Sequence, residues 1–245
     1  MKQRSGGFGL IELMVSLVIG LIIVLGVTQI FLSARNTFVS QNASAAMQED
    51  ARYALSKMIQ EIRMVGMFGC INPSSASFID ASASPTFTTA SANPIAYTSA
   101  TANGVTTNTL TLLTGDVGTN GGVPTYTILS DCLTAATASS GAATQAGMQA
   151  FPIRKVLYTF VNNQISTTVG TTTSVLISNV VSFSVSFGLA TAAAPYSVSS
   201  YSAAPAAGDL AYIRSVRISL TLSDPNSKVK NQVFNVVAAL RNKLN

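Results

Sequence analysis

The longest apolar run in the chain lies near its start. From Phe8 to Leu32 the sequence is almost wholly apolar, and Glu12 is its only charge. A helix rises about 1.5 Å per residue and a bilayer core is about 30 Å thick, so roughly 20 apolar residues span it. This run is long enough, and nothing later in the chain is comparable. Farther on, Ala51, Leu55, Met58, Ile62 and Val65 recur at alternating four- and three-residue spacings, which marks one buried helical face. Glu49, Asp50, Arg52, Lys57, Glu61 and Arg63 place charge around that face, and Gly66 and Gly69 mark a stop, since Gly is favoured just past helix ends. The pattern predicts one helix from Phe8 to Val65, roughly 85–90 Å long. Its first half is left to lipid or to other subunits, and its second half packs on a sheet. Gly20 and Gly26 either bend the first half or let neighbouring helices approach closely, or they are ordinary membrane-helix glycines.

After Cys70 the period shortens. Ser74 to Asn108 is dominated by Ser, Ala, Thr and Asn, with Pro85 and Pro94, and reads as long loops with at most short strands. Ala135 to Gln149 and Ala190 to Ala207 read the same way. Between them, Thr109–Thr114, Thr125–Ser130, Lys155–Val161 and Gln164–Val169 are rich in branched and aromatic residues, and Asn162-Asn163 fits a hairpin turn. Val181, Phe183, Val185 and Phe187 alternate with serines, and Val216, Ile218, Leu220 and Leu222 alternate with Arg217, Ser219, Thr221 and Ser223. Such two-residue periods mark half-buried antiparallel strands. Gln232 to Leu240 closes the set. The expected fold is α+β: a long N-terminal helix laid across an antiparallel β-sheet with long Ser/Thr/Ala-rich loops.

Charge changes the picture by its scarcity. Only 9% of the 245 residues are charged, against about 25% in average soluble domains. Beyond Cys70 the acids are Asp80, Asp116, Asp131, Asp209 and Asp224, each isolated in sequence. The chain has no His, which removes the commonest general base. "GTNGG" at Gly118–Gly122 lacks the Lys-Ser/Thr and the helix pattern of a phosphate loop. No enzyme and no cofactor is expected. Zinc is not expected either, since two cysteines without His cannot complete a tetrahedral site. Cys70 and Cys132, an even pair in an exported domain, point to one disulfide; two free buried thiols are the alternative. Arg154, Lys155, Arg214, Arg217, Lys228, Lys230, Arg241 and Lys243 could gather into a patch for nucleic-acid backbone, or they are solvated strand ends. The net charge of +5 is mild.

Glu12 is costly where it stands. A carboxylate at the centre of a membrane helix costs roughly 2.5–3.5 kcal/mol, somewhat less near an end. It either rests at headgroup level or has a partner in an assembly, most simply a cationic amine. Lys2 and Arg4 precede the run, which reads as N-terminus inside and remainder outside. A removable secretory signal has a shorter apolar region, about 7–15 residues, and a small-residue cleavage site, unlike "TQIFLSARN" here.

"RSGG" followed by "FGLIELMVSLVIG" resembles the class III signal of type IV prepilins and type II secretion pseudopilins. The shared pattern is a short basic leader ending in Gly, an aromatic residue, and Glu at the fifth mature position. Gly9 departs from the family's commoner Thr. The resemblance implies that a prepilin peptidase cuts between Gly7 and Phe8 and methylates the Phe8 amine. It also implies that Glu12 meets such an amine in the packed helix core of a filament. The stretches "LISNVVSFSVSFG", "IRSVRISLTLSD" and "VFNVVAALRNKLN" are similar to those of PilW-type minor pilins. Four segments are then expected: a leader at 1–7, a transmembrane and assembly half of the helix at 8–32, an amphipathic half at 33–66, and an extracytoplasmic β-rich domain at 67–245. The implied role is a minor pilin that helps to initiate, or joins, a type IV pilus. Its implied partners are other minor pilins, the major pilin, the prepilin peptidase, the inner membrane and the assembly platform in it. A J-type pseudopilin of a type II secretion system and an unprocessed single-pass envelope protein are the alternatives.

Overall fold

Helix α1 runs unbroken from Leu10 to Arg63 in the computed structural model, which describes residues 9–70, 72–73, 75, 77–115 and 123–243. Met47, Ala51, Ala54, Leu55, Met58 and Ile62 are its buried residues, so the face read from the three-and-four spacing is the one that packs. Arg63 ends it, and Gly66 follows at φ +78°, a left-handed conformation that costs a residue without a Cβ least. Cover begins later than expected. Every residue from Ser33 to Val39 is exposed, partial burial starts at Ser40, and full burial starts at Met47. The large apolar residues of Ser33–Val39 are only Phe38 and Val39, side by side among polar and small residues, too few to make a face that binds a sheet.

Among the described residues twelve strands follow: β1 Phe78–Asp80, β2 Ile95–Ala102, β3 Val105–Gly115, β4 Tyr126–Ser130, β5 Ala136–Ser140, β6 Gln149–Val161, β7 Gln164–Val169, β8 Thr172–Ile177, β9 Val180–Leu189, β10 Ser200–Ser202, β11 Ile213–Leu222 and β12 Gln232–Ala239. A short helix α2, Phe87–Ala92, precedes β2. The strands form two sheets rather than the one expected. The first runs β1-β5-β4-β6-β3-β2, with β7 and β8 joined through β6; the second runs β10-β9-β11-β12. Among the described pairings only β1–β5 is parallel. Strand β6 is long enough to pair with β4 through its first half and with β7 through its second. Asn162 and Asn163, both at positive φ, turn the β6–β7 hairpin as the sequence indicated.

One core joins α1 to both sheets. Met58 and Ile62 meet Leu110, Tyr158 and Ile165 of the first sheet and Phe183, Ile218 and Leu220 of the second within a single buried cluster. Tyr97 Oη and Asn108 Nδ2 both donate to the Phe183 carbonyl, at 3.0 and 3.3 Å, and stitch the sheets together. A smaller cluster forms around Phe87, with Phe68, Tyr126, Ile128 and Ile153. The Phe68 and Phe87 rings meet edge to face, 5.1 Å between centroids.

Three readings need correction. Ser74 to Asn108 is not mainly loop, because β2 and the start of β3 form a long antiparallel ribbon there. Its outer end is exposed on both faces, so it lacks the alternation that reveals a strand. Strand β8 also lies where no strand was expected, whereas β5 is one of the short strands allowed for in Ala135 to Gln149. Val181 does not join Phe183, Val185 and Phe187 inside; it is 42% exposed, and Val180 is buried instead. The pairing steps from Thr221↔Ser182 to Leu222↔Val180, so a bulge at Val181 reverses the inward face.

Candidate assembly helix and its disulfide-tied base

The residues singled out from sequence fall at two places. Gly7 and Phe8 lie outside the described residues. Glu12 sits in the first turn of α1, where its Oε2 accepts from the Gly9 N–H at 3.2 Å. The carboxylate thus serves a backbone donor that the helix itself leaves unpaired, and its charge sits at the favourable end of the helix dipole. The Ser16 hydroxyl donates to the Glu12 carbonyl. Around the carboxylate the helix presents Ile11, Val15, Ile19 and Ile23, and all four are exposed among the described residues. The most apolar window of α1 has none of its surface buried; Leu10 alone is 79% exposed. By length and apolar composition this segment can cross a membrane. Gly20 and Gly26 lie inside the unbroken helix with open space at each.

Cys70 and Cys132 are joined by a disulfide, with Cα atoms 5.3 Å apart. The bond fastens the segment leaving α1 to the turn between β4 and β5. Other contacts fix the same exit. Val65 forms an isolated bridge with Thr114, the Gly66 N–H donates to the Leu113 carbonyl at 3.3 Å, and Asn242 Nδ2 donates to the Val65 carbonyl at 3.2 Å. The helix therefore leaves the β-domain as a fixed strut rather than on a hinge.

Three of the isolated aspartates, Asp80, Asp131 and Asp224, prove to be loop clamps, a role the sequence reading missed. Asp131 accepts from the backbone N–H groups of Leu133, Thr134 and Ala135 and so shapes the turn that carries Cys132; these bonds hold its carboxyl below the ordinary aspartate range. Asp224 accepts from Asn226, Lys228 and Val229. Asp80 accepts from Ser82 and from the Thr88 N–H at the start of α2. Partial burial works to raise the Asp80 carboxyl, but hydrogen bonds from Ser82 and Thr88 outweigh it and bring it to about 2. Short polar side chains two to five residues downstream of each Asp were the available signal.

The basic residues are put to separate uses. Arg154 is 8% exposed within β6. Arg214 donates to the carbonyls of Pro195 and Ala211. Arg217 lies over the Tyr201 ring, 3.7 Å from its centroid, in a cation–π contact. The single ion pair among the described residues is Lys57–Glu61 at 3.0 Å, one helical turn apart on α1.

The family model of the prokaryotic N-terminal methylation motif matches residues 2–28. Comparison with curated proteins and with solved structures finds no match. The matched segment contains Glu12 and most of the uncovered apolar half of α1. A methylation motif on an N-terminal apolar helix, followed by a mostly antiparallel β-domain, fits a type IV pilin-like or pseudopilin protein anchored by a single membrane pass.

Proposed function

We propose that this chain is a minor pilin: a structural subunit that helps to initiate, or joins, a type IV pilus. The observation that carries the reading is the methylation motif on a helix whose first half is left uncovered by the described residues. In this reading a prepilin peptidase cuts between Gly7 and Phe8 and methylates the Phe8 amine. The helix holds the subunit in the inner membrane, N-terminus in the cytoplasm and β-domain in the periplasm, until it passes to the filament. There the apolar half of α1 exchanges lipid for the helices of other minor pilins or of the major pilin. Glu12 is the assembly charge, tolerated in apolar surroundings because a neighbour supplies a cation. A J-type pseudopilin of a secretion system is the second reading, favoured by the same motif and by a chain of this size.

The test is Glu12→Val at matched expression, read as the amount of subunit co-purifying with sheared pili. The Gly7-Phe8 junction and the apolar run are unchanged, so processing and insertion proceed. Removing one partner of a buried ion pair costs about 3–5 kcal/mol, more than about a hundredfold in association, so incorporation drops. Equal incorporation of variant and wild type refutes the role of Glu12. Wild-type subunit that processes normally yet stays with secretion machinery and out of sheared pili favours the pseudopilin reading.

A further inference from the structure

Each sheet ends in a strand with a bare edge. β12 closes the second sheet and pairs with β11 alone, and β2 closes the first and pairs with β3 alone. Neither strand contains a charge or a proline, the usual means by which an edge repels other strands. The remaining ends are less open: β1 and β10 have three residues each, and β8 lies against α1. The pairing phase shows which groups the two edges present. The Leu240 N–H donates to the Arg214 carbonyl at 2.9 Å, which continues the Ser215↔Ala239 register. Antiparallel residues bond their partner at every second position, so Phe234, Val236 and Ala238 face β11. Val233, Asn235, Val237 and Ala239 then turn their N–H and C=O groups outward. The Leu113 N–H likewise donates to the Pro94 carbonyl at 2.7 Å, which turns Tyr97, Ser99 and Thr101 of β2 outward. Among the described residues no backbone bond reaches either outer edge.

The side chains on both edges face water as well. Val233 is 60% and Val237 49% exposed, and every residue of β2 from Thr98 to Ala102 is exposed. Strand β3 pairs with β6 only from Asn108 onward, so the outer end of β2 and β3 is a ribbon of two strands, marginal by itself. The two edges also run in opposite senses along α1. Gln232 at the start of β12 donates to Ser44 at 2.8 Å, and Asn242 beyond its end donates to the Val65 carbonyl, so β12 runs toward the helix exit. Pro94 accepts from Leu113, whose own carbonyl accepts from Gly66. β2 therefore starts at that exit and runs away from it.

We infer that β12 takes the outer end of β2 from a second copy of this chain as an added antiparallel strand, with Ser99 opposite Asn235 and Thr101 opposite Val233. The proposal rests on the pilin-like reading, which anchors the copies in one membrane, at one height and in one direction. Under that condition β2 of one copy runs antiparallel to β12 of the next. β12 against β12 would run parallel, the weaker pairing. Both strands have one end at the helix exit, so level copies set Ile95 near Ala239 and bring Ser99 to Asn235. The phase agrees, because both members of each proposed pair turn their bonding groups outward. A row of unpaired N–H and C=O groups is matched by the backbone of another strand, and the ribbon gains the third strand it lacks. One copy offers β12 and the other β2, so the contact is head-to-tail and leaves an edge open at each end for a further copy.

The test co-expresses two tagged full-length copies in membranes, one with Ser99→Cys and the other with Asn235→Cys. The proposed pair holds these Cα atoms about 5.5 Å apart, within disulfide reach. Mild oxidation is expected to link 99 to 235 at least about tenfold more than 235 to 235. The same excess is expected over a link from 99 to Ala239→Cys, about 13 Å farther along β12. Val233→Pro in the Asn235→Cys copy removes an outward N–H and leaves the bonds to β11 in place. It should lower the 99–235 link at least about tenfold, and Thr101→Pro in the Ser99→Cys copy should do the same from the other side. Formation of the Cys70–Cys132 bond in every variant confirms that the β-domain has folded. Links at 235–235 in place of 99–235, an equal link from 99 to 239, or a 99–235 link indifferent to either proline variant each overturn the inference. The N-terminus of the wild-type chain is read in the same samples. A mature Phe8 terminus with no 99–235 link defeats the strand pairing alone, whereas an uncut Gly7-Phe8 junction defeats the pilin-like reading beneath it.

Discussion

Replacing both Cys70 and Cys132 by Ser removes the bond at the base of α1 and leaves the other contacts there intact. The two residues are 62 apart in sequence. Closing a loop of that length lowers the entropy of the unfolded chain enough to stabilise the fold by about 4 kcal/mol at 25 °C in the chain-entropy account. The native state should change little. The Gly66 N–H to Leu113 bond, the Asn242 to Val65 bond and the Phe68–Phe87 contact still hold the helix exit, and Asp131 still shapes its turn. For a chain of this size about 1 kcal/mol corresponds to roughly 2–4 °C in Tm, so the double variant should melt roughly 8–16 °C lower with the same far-ultraviolet circular dichroism. The assay is thermal unfolding of the full chain in detergent, wild type against the double variant. A midpoint within about 2 °C of wild type would refute the loop-entropy reasoning, and a changed spectrum at low temperature would refute the claim that the remaining contacts fix the exit.

Two further outcomes follow from the packing and from the clamps. Met58 is fully buried between α1 and both sheets, whereas Tyr53 on the same helix is 62% exposed; Met58→Ala should cost about 2–5 kcal/mol and Tyr53→Ala less than about 0.5 kcal/mol, read by urea unfolding. Asp80 is lowered from 3.8 to about 2, so its clamp contributes fully above the unfolded value and is lost as pH falls from about 4 toward 2. Asp80→Asn should therefore lose less stability than wild type across that window, and parallel pH profiles would contradict the clamp.

The parts of the fold that could be read in advance are those where one face is buried and the period is regular. Ala51, Leu55, Met58 and Ile62 announced the packed face of α1, and Val216, Ile218, Leu220 and Leu222 announced β11, because burial on one side imposes a repeat on the sequence. The β2–β3 ribbon escaped because its outer end touches water on both faces. Cross-strand pairs such as Thr101–Thr106 stabilise it without leaving an apolar repeat. Val181 was misplaced because a bulge alters which face a residue takes while the sequence keeps alternating. Glu12 was legible through its cost, being a charge within an apolar run. The cysteine pair was legible by count, but the convergence of other contacts at the helix exit needed the fold.

The most direct measurement of the central claim is mass spectrometry of the N-terminal peptide of the chain taken from cells. The account predicts a mature terminus at Phe8 carrying one added methyl group on its amine, with the apolar helix retained behind it. An intact Met1 terminus, or a cut beyond Leu32, would contradict the pilin-like account.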